Sequence, residues 1–435
     1  MTAEVAVFNS YGIALAADSA VTTSLGGAEK IYNNADKLFQ LSKVNPIAIM
    51  IYNIASINGS PWELLIKAFK AEFGDTDYST VADCARAFFS FAVAKKNIIT
   101  KEHTISFVKN TFSQVIYEFL DSFQKNEVVQ FIMTSQRQPT PAECHVLMSH
   151  KIDNILNDLN GLSFYENFSQ DDIDRSISEN YMISKAVCMS SLPLDLSNAA
   201  STLPNDLLDK FNKLFANSLC RDFNGGMYTG LVFAGYGSDE YYPYLESHKI
   251  YGVYNNKLMA SKVVENNNGT SSGIRPFAQD DEVNTFMQGC SSGMYNCITD
   301  AINNNLDILG IELANILTSN NVNVTKDEVI NALNSLRSSY IDNYRDTINN
   351  YMMSNHVHKV ISILGVLAKP DLGYMAESLV NLTAFKRKIS NDSDTVGGPI
   401  DVAILSKGDG FIWLKRKHYF NKDLNYNFHN RQLTK

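Results

Sequence analysis

Met1-Thr-Ala-Glu-Val-Ala-Val-Phe-Asn-Ser-Tyr-Gly-Ile-Ala-Leu-Ala-Ala-Asp18 opens the chain, and the reading of this stretch decides the fold. Residues 4–8 and 12–17 are short apolar runs, and Asn9-Ser10-Tyr11-Gly12 between them has turn chemistry. An antiparallel pair of this length returns the end of its second strand to the start of its first. Asp18 is therefore expected beside Thr2. Initiator methionine is normally removed when the next residue is small, so the working chain is expected to begin at Thr2. A free N-terminal threonine carries a nucleophile, its hydroxyl, and a base, its α-amine, on one residue. That amine titrates near about 7.7–8.0 when unperturbed, so it can accept a proton at cellular pH.

Working outward, residues 37–42 and 47–53 predict a second hairpin, with Lys37 at the mouth of its first strand. A lysine there gives the threonine hydroxyl a positive neighbour and disfavours a proton on the α-amine. Thr2, Asp18 and Lys37 are the candidate catalytic residues, and Lys30 is the competing lysine.

This layout resembles the N-terminal nucleophile hydrolases of the proteasome β-subunit and HslV-peptidase type. Thr2, Gly12, Asp18 and Ser19 fall at that family's spacing without a gap. Asn34-Ala-Asp-Lys37-Leu resembles its lysine stretch after an insertion of about three residues. Lys37 is preferred over Lys30 because an apolar strand follows it directly. The likeness resumes in Gly226-Met-Tyr-Thr-Gly-Leu-Val-Phe-Ala-Gly235-Tyr-Gly and Tyr244-Leu-Glu-Ser-His-Lys-Ile-Tyr-Gly252, which are similar to the family's central hairpin. It ends in a helix over 370–388 and Gly397-Gly-Pro-Ile-Asp-Val-Ala-Ile-Leu405, similar to the closing helix, paired glycines and final strand. These segments cover about half of the chain, in the family's order.

The resemblance implies an α+β fold, a four-layer α/β/β/α sandwich, here carrying large helical insertions. It implies an N-terminal-threonine hydrolase acting on a peptide or other amide through an acyl-enzyme, with no cofactor and no metal. The backbone oxyanion donor, a glycine in the family, corresponds most closely to Asn53. The family's supporting serine corresponds to Gln279 or a neighbour in Phe277-Ala-Gln-Asp280. The polar residues near the late glycine pair are matched only loosely, by Ser393-Asp394 and Val396. Ser19 and Asp394 complete the supporting set. These departures leave a second reading, a non-catalytic structural or regulatory protein of the same fold.

Composition sets the frame for both readings. A chain of 435 residues with 45% hydrophobic and 19% charged residues is ordinary globular material, long enough for a large domain with insertions. A net charge of −9 without a long basic face argues against a nucleic-acid partner. No basic flank and single apolar stretch marks a signal peptide, and no run of about 18 apolar residues is present to span a membrane. Cys84, Cys144, Cys188, Cys220, Cys290 and Cys297 include no Cys-x-x-Cys pair. They read as reduced core thiols, and the expected location is cytoplasmic.

Along the chain, residues 2–95 read as the first half of the sandwich, 97–222 as a helical insertion and 223–289 as the central hairpin and a following helix. Residues 290–365 read as a second helical insertion, 366–420 as the closing helix and final strands, and 421–435 as a polar tail. Helices are expected over 61–73, 104–123, 204–220, 276–287 and 370–388. Cys144-His145 with His150, and His356-x-His358, lack partners at metal-site spacing. Gly235-Tyr-Gly237 lacks the third glycine and the helix of a dinucleotide site. Ser291-Ser-Gly293 lacks the frame of a nucleophile elbow. Insertions of this size at the family's assembly helices predict a monomer or small homo-oligomer rather than a stacked double ring.

Overall fold

A computed structural model describes residues 3–25, 28–192, 204–222, 226–266, 272–320, 325–390, 396–418, 420–421 and 424–427 of the protein. In chain order its first strands are β1 (Ala3–Asn9), β2 (Gly12–Ala17), β3 (Val21–Leu25), β4 (Ala28–Tyr32), β5 (Leu38–Gln40) and β6 (Ile47–Asn53). The short β7 (Ser56–Ile57) and β8 (Ser60–Pro61) lead into α1 (Trp62–Phe73) and α2 (Val81–Ala94). Then come α3 (Lys101–Phe123), α4 (Val129–Ser135), α5 (Pro141–Asn160), α6 (Gln170–Glu179), α7 (Tyr181–Ser191) and α8 (Asn205–Cys220). Strands β9 (Thr229–Gly235), β10 (Tyr244–Tyr254), β11 (Lys257–Asn266) and β12 (Gly273–Ala278) follow. Helices α9 (Asp281–Gln288), α10 (Ser292–Ser319), α11 (Lys326–Met352), α12 (His358–Leu364) and α13 (Lys369–Ile389) precede the closing hairpin of β13 (Asp401–Ser406) and β14 (Gly410–Lys415). Among the described residues helix makes up 56% and strand 20%; with antiparallel sheets, this is a helix-rich mixed protein, compatible with the α+β class.

The chain divides into two compact units. The first comprises Met1–Leu38, Tyr241–Pro243 and Asn268–Lys435. Its sheet runs β12-β1-β2-β13-β14. Strands β1 and β2 form the expected hairpin, pairing from Glu4↔Ala17 to Asn9↔Gly12. Asn9 fixes the turn: its Oδ1 accepts the Tyr11 backbone N–H at 2.9 Å. Its Nδ2 donates to the carbonyls of Leu364 and Leu367, at 2.8 and 2.9 Å. Every residue of β1 and β2 is buried, as near-continuous apolar runs demand. Val5, Val7, Ala14 and Ala16 pack with Leu372, Ala376, Leu379 and Val380 of α13 and Ile404 of β13. Burying each of the larger aliphatic side chains stabilises the unit by roughly 1.5–3 kcal/mol. Helix α13 comes close because Gly373 has no side chain; a Cβ there would lie 2.3 Å from Leu414 Cδ1.

One expectation is corrected here. Residues 276–287 are not a single helix: β12 takes Gly273–Ala278, and α9 begins at Asp281. Strand β12 lies at the edge of its sheet and pairs only with β1. Pro276 is tolerated there because an edge strand has N–H groups that need no ladder partner.

The second unit comprises Phe39–Glu240 and Tyr244–Asn267. Its sheet runs β11-β10-β9-β6-β5. Trp62, Leu65 and Phe69 of α1 and Phe88 of α2 pack with Ile49, Leu231 and Phe233 of the sheet. Trp62 Nε1 donates to Thr229 Oγ1 at 3.0 Å, so the buried indole keeps its hydrogen bond. The helices from α3 to α8, with Tyr254 of β10 and Met259 of β11, build a further core, in which Phe112 and Phe215 stack with centroids 4.6 Å apart. Capping boxes at Thr100, Thr140 and Ser169 start α3, α5 and α6 by satisfying backbone N–H groups that the first turn leaves open.

Candidate active site

Asp18 closes β2, and its backbone N–H donates to the Ala3 carbonyl at 3.1 Å. Its carboxylate is enclosed by donors. Oδ1 accepts Lys37 Nζ at 2.6 Å and the Ala3 N–H at 3.2 Å. Oδ2 accepts the N–H groups of Gly397 at 3.0 Å and Ala20 at 3.3 Å. The Lys37 and Asp18 side chains are 6% and 0% exposed, so this is a buried ion pair. Such a pair is tolerated only when hydrogen bonds replace the lost water. Three backbone N–H groups do so for Asp18.

Several contacts deliver Lys37 to that position. The Ala35 N–H donates to the Ser19 carbonyl at 3.1 Å. Next to Lys37, Asp36 pairs with Lys417 at 3.3 Å, and Lys417 also pairs with buried Asp401 at the start of β13. Gly398 takes φ +76 where a Cβ would meet Asn33 at 2.9 Å. Only glycine suits both that backbone and that approach. Ser19 is not free to react: its N–H donates to Gly397 and its hydroxyl to the Pro399 carbonyl. It ties the end of β2 to the entry of β13.

Lys30, the competing lysine, lies exposed on β4. The β3–β4 hairpin, which pairs Val21 with Tyr32, lies between Asp18 and Lys37 in the chain. Gln279 follows β12, and its Oε1 accepts from Arg387 Nη2 of α13. Just before it, Ala278 has φ +65, a left-handed conformation that costs a non-glycine residue roughly 1–2 kcal/mol. Ala278 is the register partner of Ala3. Asn53 ends β6 in the second unit, exposed and with φ +62. Asparagine is among the few residues that visit this region readily. Thr2 and Asp394 lie outside the described residues.

The sequence reading missed Glu4. It is 0% exposed, and neither carboxyl oxygen has a hydrogen-bond partner among the described residues. Burial holds its proton on well above the ordinary carboxylate range; Lys37 opposes that shift and Asp18 reinforces it. The signal was the one charge in an otherwise apolar strand.

Cys84, Cys144, Cys188 and Cys220 are buried free thiols, whereas Cys290 is half-buried and Cys297 exposed. Those last two correct the reading of all six as core. Among the described residues, no group of three or more His, Cys, Asp or Glu side chains is placed to hold a metal ion. No helix of these residues is long and apolar enough to cross a membrane. No protein-family model and no curated protein sequence matches the chain.

Proposed function

We propose that the protein is an N-terminal-threonine hydrolase that cleaves peptide or other amide bonds through an acyl-enzyme ester. The observation that carries this reading is the buried Asp18–Lys37 pair, whose Asp18 also binds the backbone N–H of Ala3, the residue after Thr2. In the proposed reaction the Thr2 hydroxyl attacks the substrate carbonyl. Its proton passes to the Thr2 α-amine and then to the leaving amine. Lys37 lends positive charge to the forming alkoxide, and Asp18 holds Lys37. Water then hydrolyses the ester and regenerates Thr2. The four-layer α/β/β/α sandwich belongs to this proposal, as does the absence of nucleic-acid, cofactor and metal requirements.

The test is covalent trapping. An epoxyketone, which reacts with both groups of an N-terminal threonine, should add its mass to the wild-type chain lacking Met1 and not to Thr2→Ala. Labelling that survives in Thr2→Ala would show that another residue reacts. One observation favours the non-catalytic reading: Gln279, which with its neighbours is the proposed counterpart of the family's serine, is engaged by Arg387. A purified protein that retains Met1 in full would support it, because a blocked α-amine leaves Thr2 without its base.

A further inference from the structure

Glu4 is not used by the mechanism above, and its position asks for an account. In β1 it stands opposite Ala17 of β2 and Phe277 of β12. Ala3, Val5 and Val7 join the core around α13, so strand alternation directs Glu4 to the other face of the sheet. The charged groups that act on it are Lys37, from the segment ahead of β5, and Asp18, from the end of β2. From β12 the register neighbour is apolar Phe277, and Arg275 is exposed. A buried carboxyl without a hydrogen bond destabilises a fold. Valine or leucine would fill the same strand position without that penalty.

We propose that Glu4, a fully buried carboxyl whose register partner Ala17 precedes Asp18 and whose neighbour Ala3 donates to Asp18 Oδ1, is a positioning residue for the Asp18–Lys37 pair. The proposal rests on the hydrolase reading given above. While Glu4 is neutral, Asp18 and Lys37 balance, and the ammonium remains directed by Asp18. Once Glu4 ionises, two carboxylates share one ammonium, and Lys37 is drawn toward the second of them. Activity therefore falls as pH rises through the Glu4 midpoint. Stability follows the same sign. A carboxyl whose folded value is raised contributes stability that is complete below the ordinary carboxylate range and lost as pH rises through the folded value.

Two measurements on the full chain test this. The first is the pH titration of the Glu4 carboxyl carbon by NMR in wild type and Lys37→Met. The expected midpoint lies above the ordinary carboxylate range and moves higher in Lys37→Met. A midpoint in the ordinary range, or one indifferent to Lys37→Met, overturns the proposal. The second is the epoxyketone trapping rate against pH for wild type and Glu4→Gln. The Gln variant should lose the high-pH decline, so its rate relative to wild type grows about tenfold per pH unit above the midpoint. Superimposable profiles overturn the proposal. Glu4→Gln keeps the side-chain shape, so the test stands even where Lys37→Met fails to fold. A wild-type protein never labelled at any pH sinks the hydrolase reading, and the carboxyl titration alone then decides the link between Glu4 and Lys37.

Discussion

Asp18 shows how much one side chain can organise when it is buried and fully engaged. Its two oxygens join the start of β1, the entry to β13 and the segment carrying Lys37. Removing its charge leaves Lys37 buried without its carboxylate, and breaking one side of such a pair typically costs about 3–5 kcal/mol. Asp18→Asn should therefore lower the urea midpoint strongly, while Asp18→Asn combined with Lys37→Met recovers much of that loss because no charge is then stranded. Both variants should resist epoxyketone. An Asp18→Asn protein within about 1 kcal/mol of wild type would mean that the pair is weakly coupled to folding. The place of Asp18 beside the start of β1 was legible because a tight hairpin fixes where its second strand ends, whereas Lys37 was read from the likeness of its stretch to a family pattern and from the apolar strand that follows it. Glu4 was legible only as a lone charge. It sits inside a run that reads as apolar, and only coordinates reveal that neither of its oxygens finds a donor among the described residues.

Among the elements, hairpins and helices with strong local signals were read nearly to the residue. Strand β2 matches the expected 12–17, and β6 matches 47–53. What the sequence hid were elements whose local signals point elsewhere. Pro276 with the acidic run Asp280-Asp281-Glu282 looks like a helix start, but the proline belongs to an edge strand and the acids to the first turn of α9. The β3–β4 hairpin was passed over although Gly26-Gly27 between its strands is a turn signal. In the second unit, β6 and β9 are matched by a close approach that a sequence cannot display. The ring of Tyr52 lies across Gly230, its register partner, where a Cβ would stand 1.9 Å from the ring. Gly230→Ala should destabilise by about 1–3 kcal/mol through overpacking. Adding Tyr52→Leu should relieve part of that cost, read as non-additive shifts in a double-mutant cycle. Additive shifts would show that the contact does not constrain the sheet.

For the whole molecule, the decisive question is what the large helical segments do to assembly. The helices from α3 to α8 enclose an aromatic core together with Tyr254 and Met259, so they are a built element rather than a long loop. Helices α10 and α11 run 28 and 27 residues, far longer than a connection requires. Ile308, Leu309, Ile311 and Ile316 of α10 are each more than half exposed. If the proposed family likeness holds, helical segments of this bulk would change the surfaces through which compact members of that family form rings. The expectation is a monomer or small homo-oligomer, because a ring closes only where one subunit's surface fits a different surface of the next, and bulky additions at either surface spoil that fit. Light scattering coupled to size exclusion on the purified chain gives the particle mass directly. If the mass corresponds to one or a few copies, the proposed active site must be reachable without an enclosing chamber. Substrate access would then be limited by the chain itself, and folded proteins as well as peptides should be offered in activity assays. A particle of about a dozen copies or more would overturn the expectation and favour a chambered protease, in which only unfolded or short substrates reach Thr2.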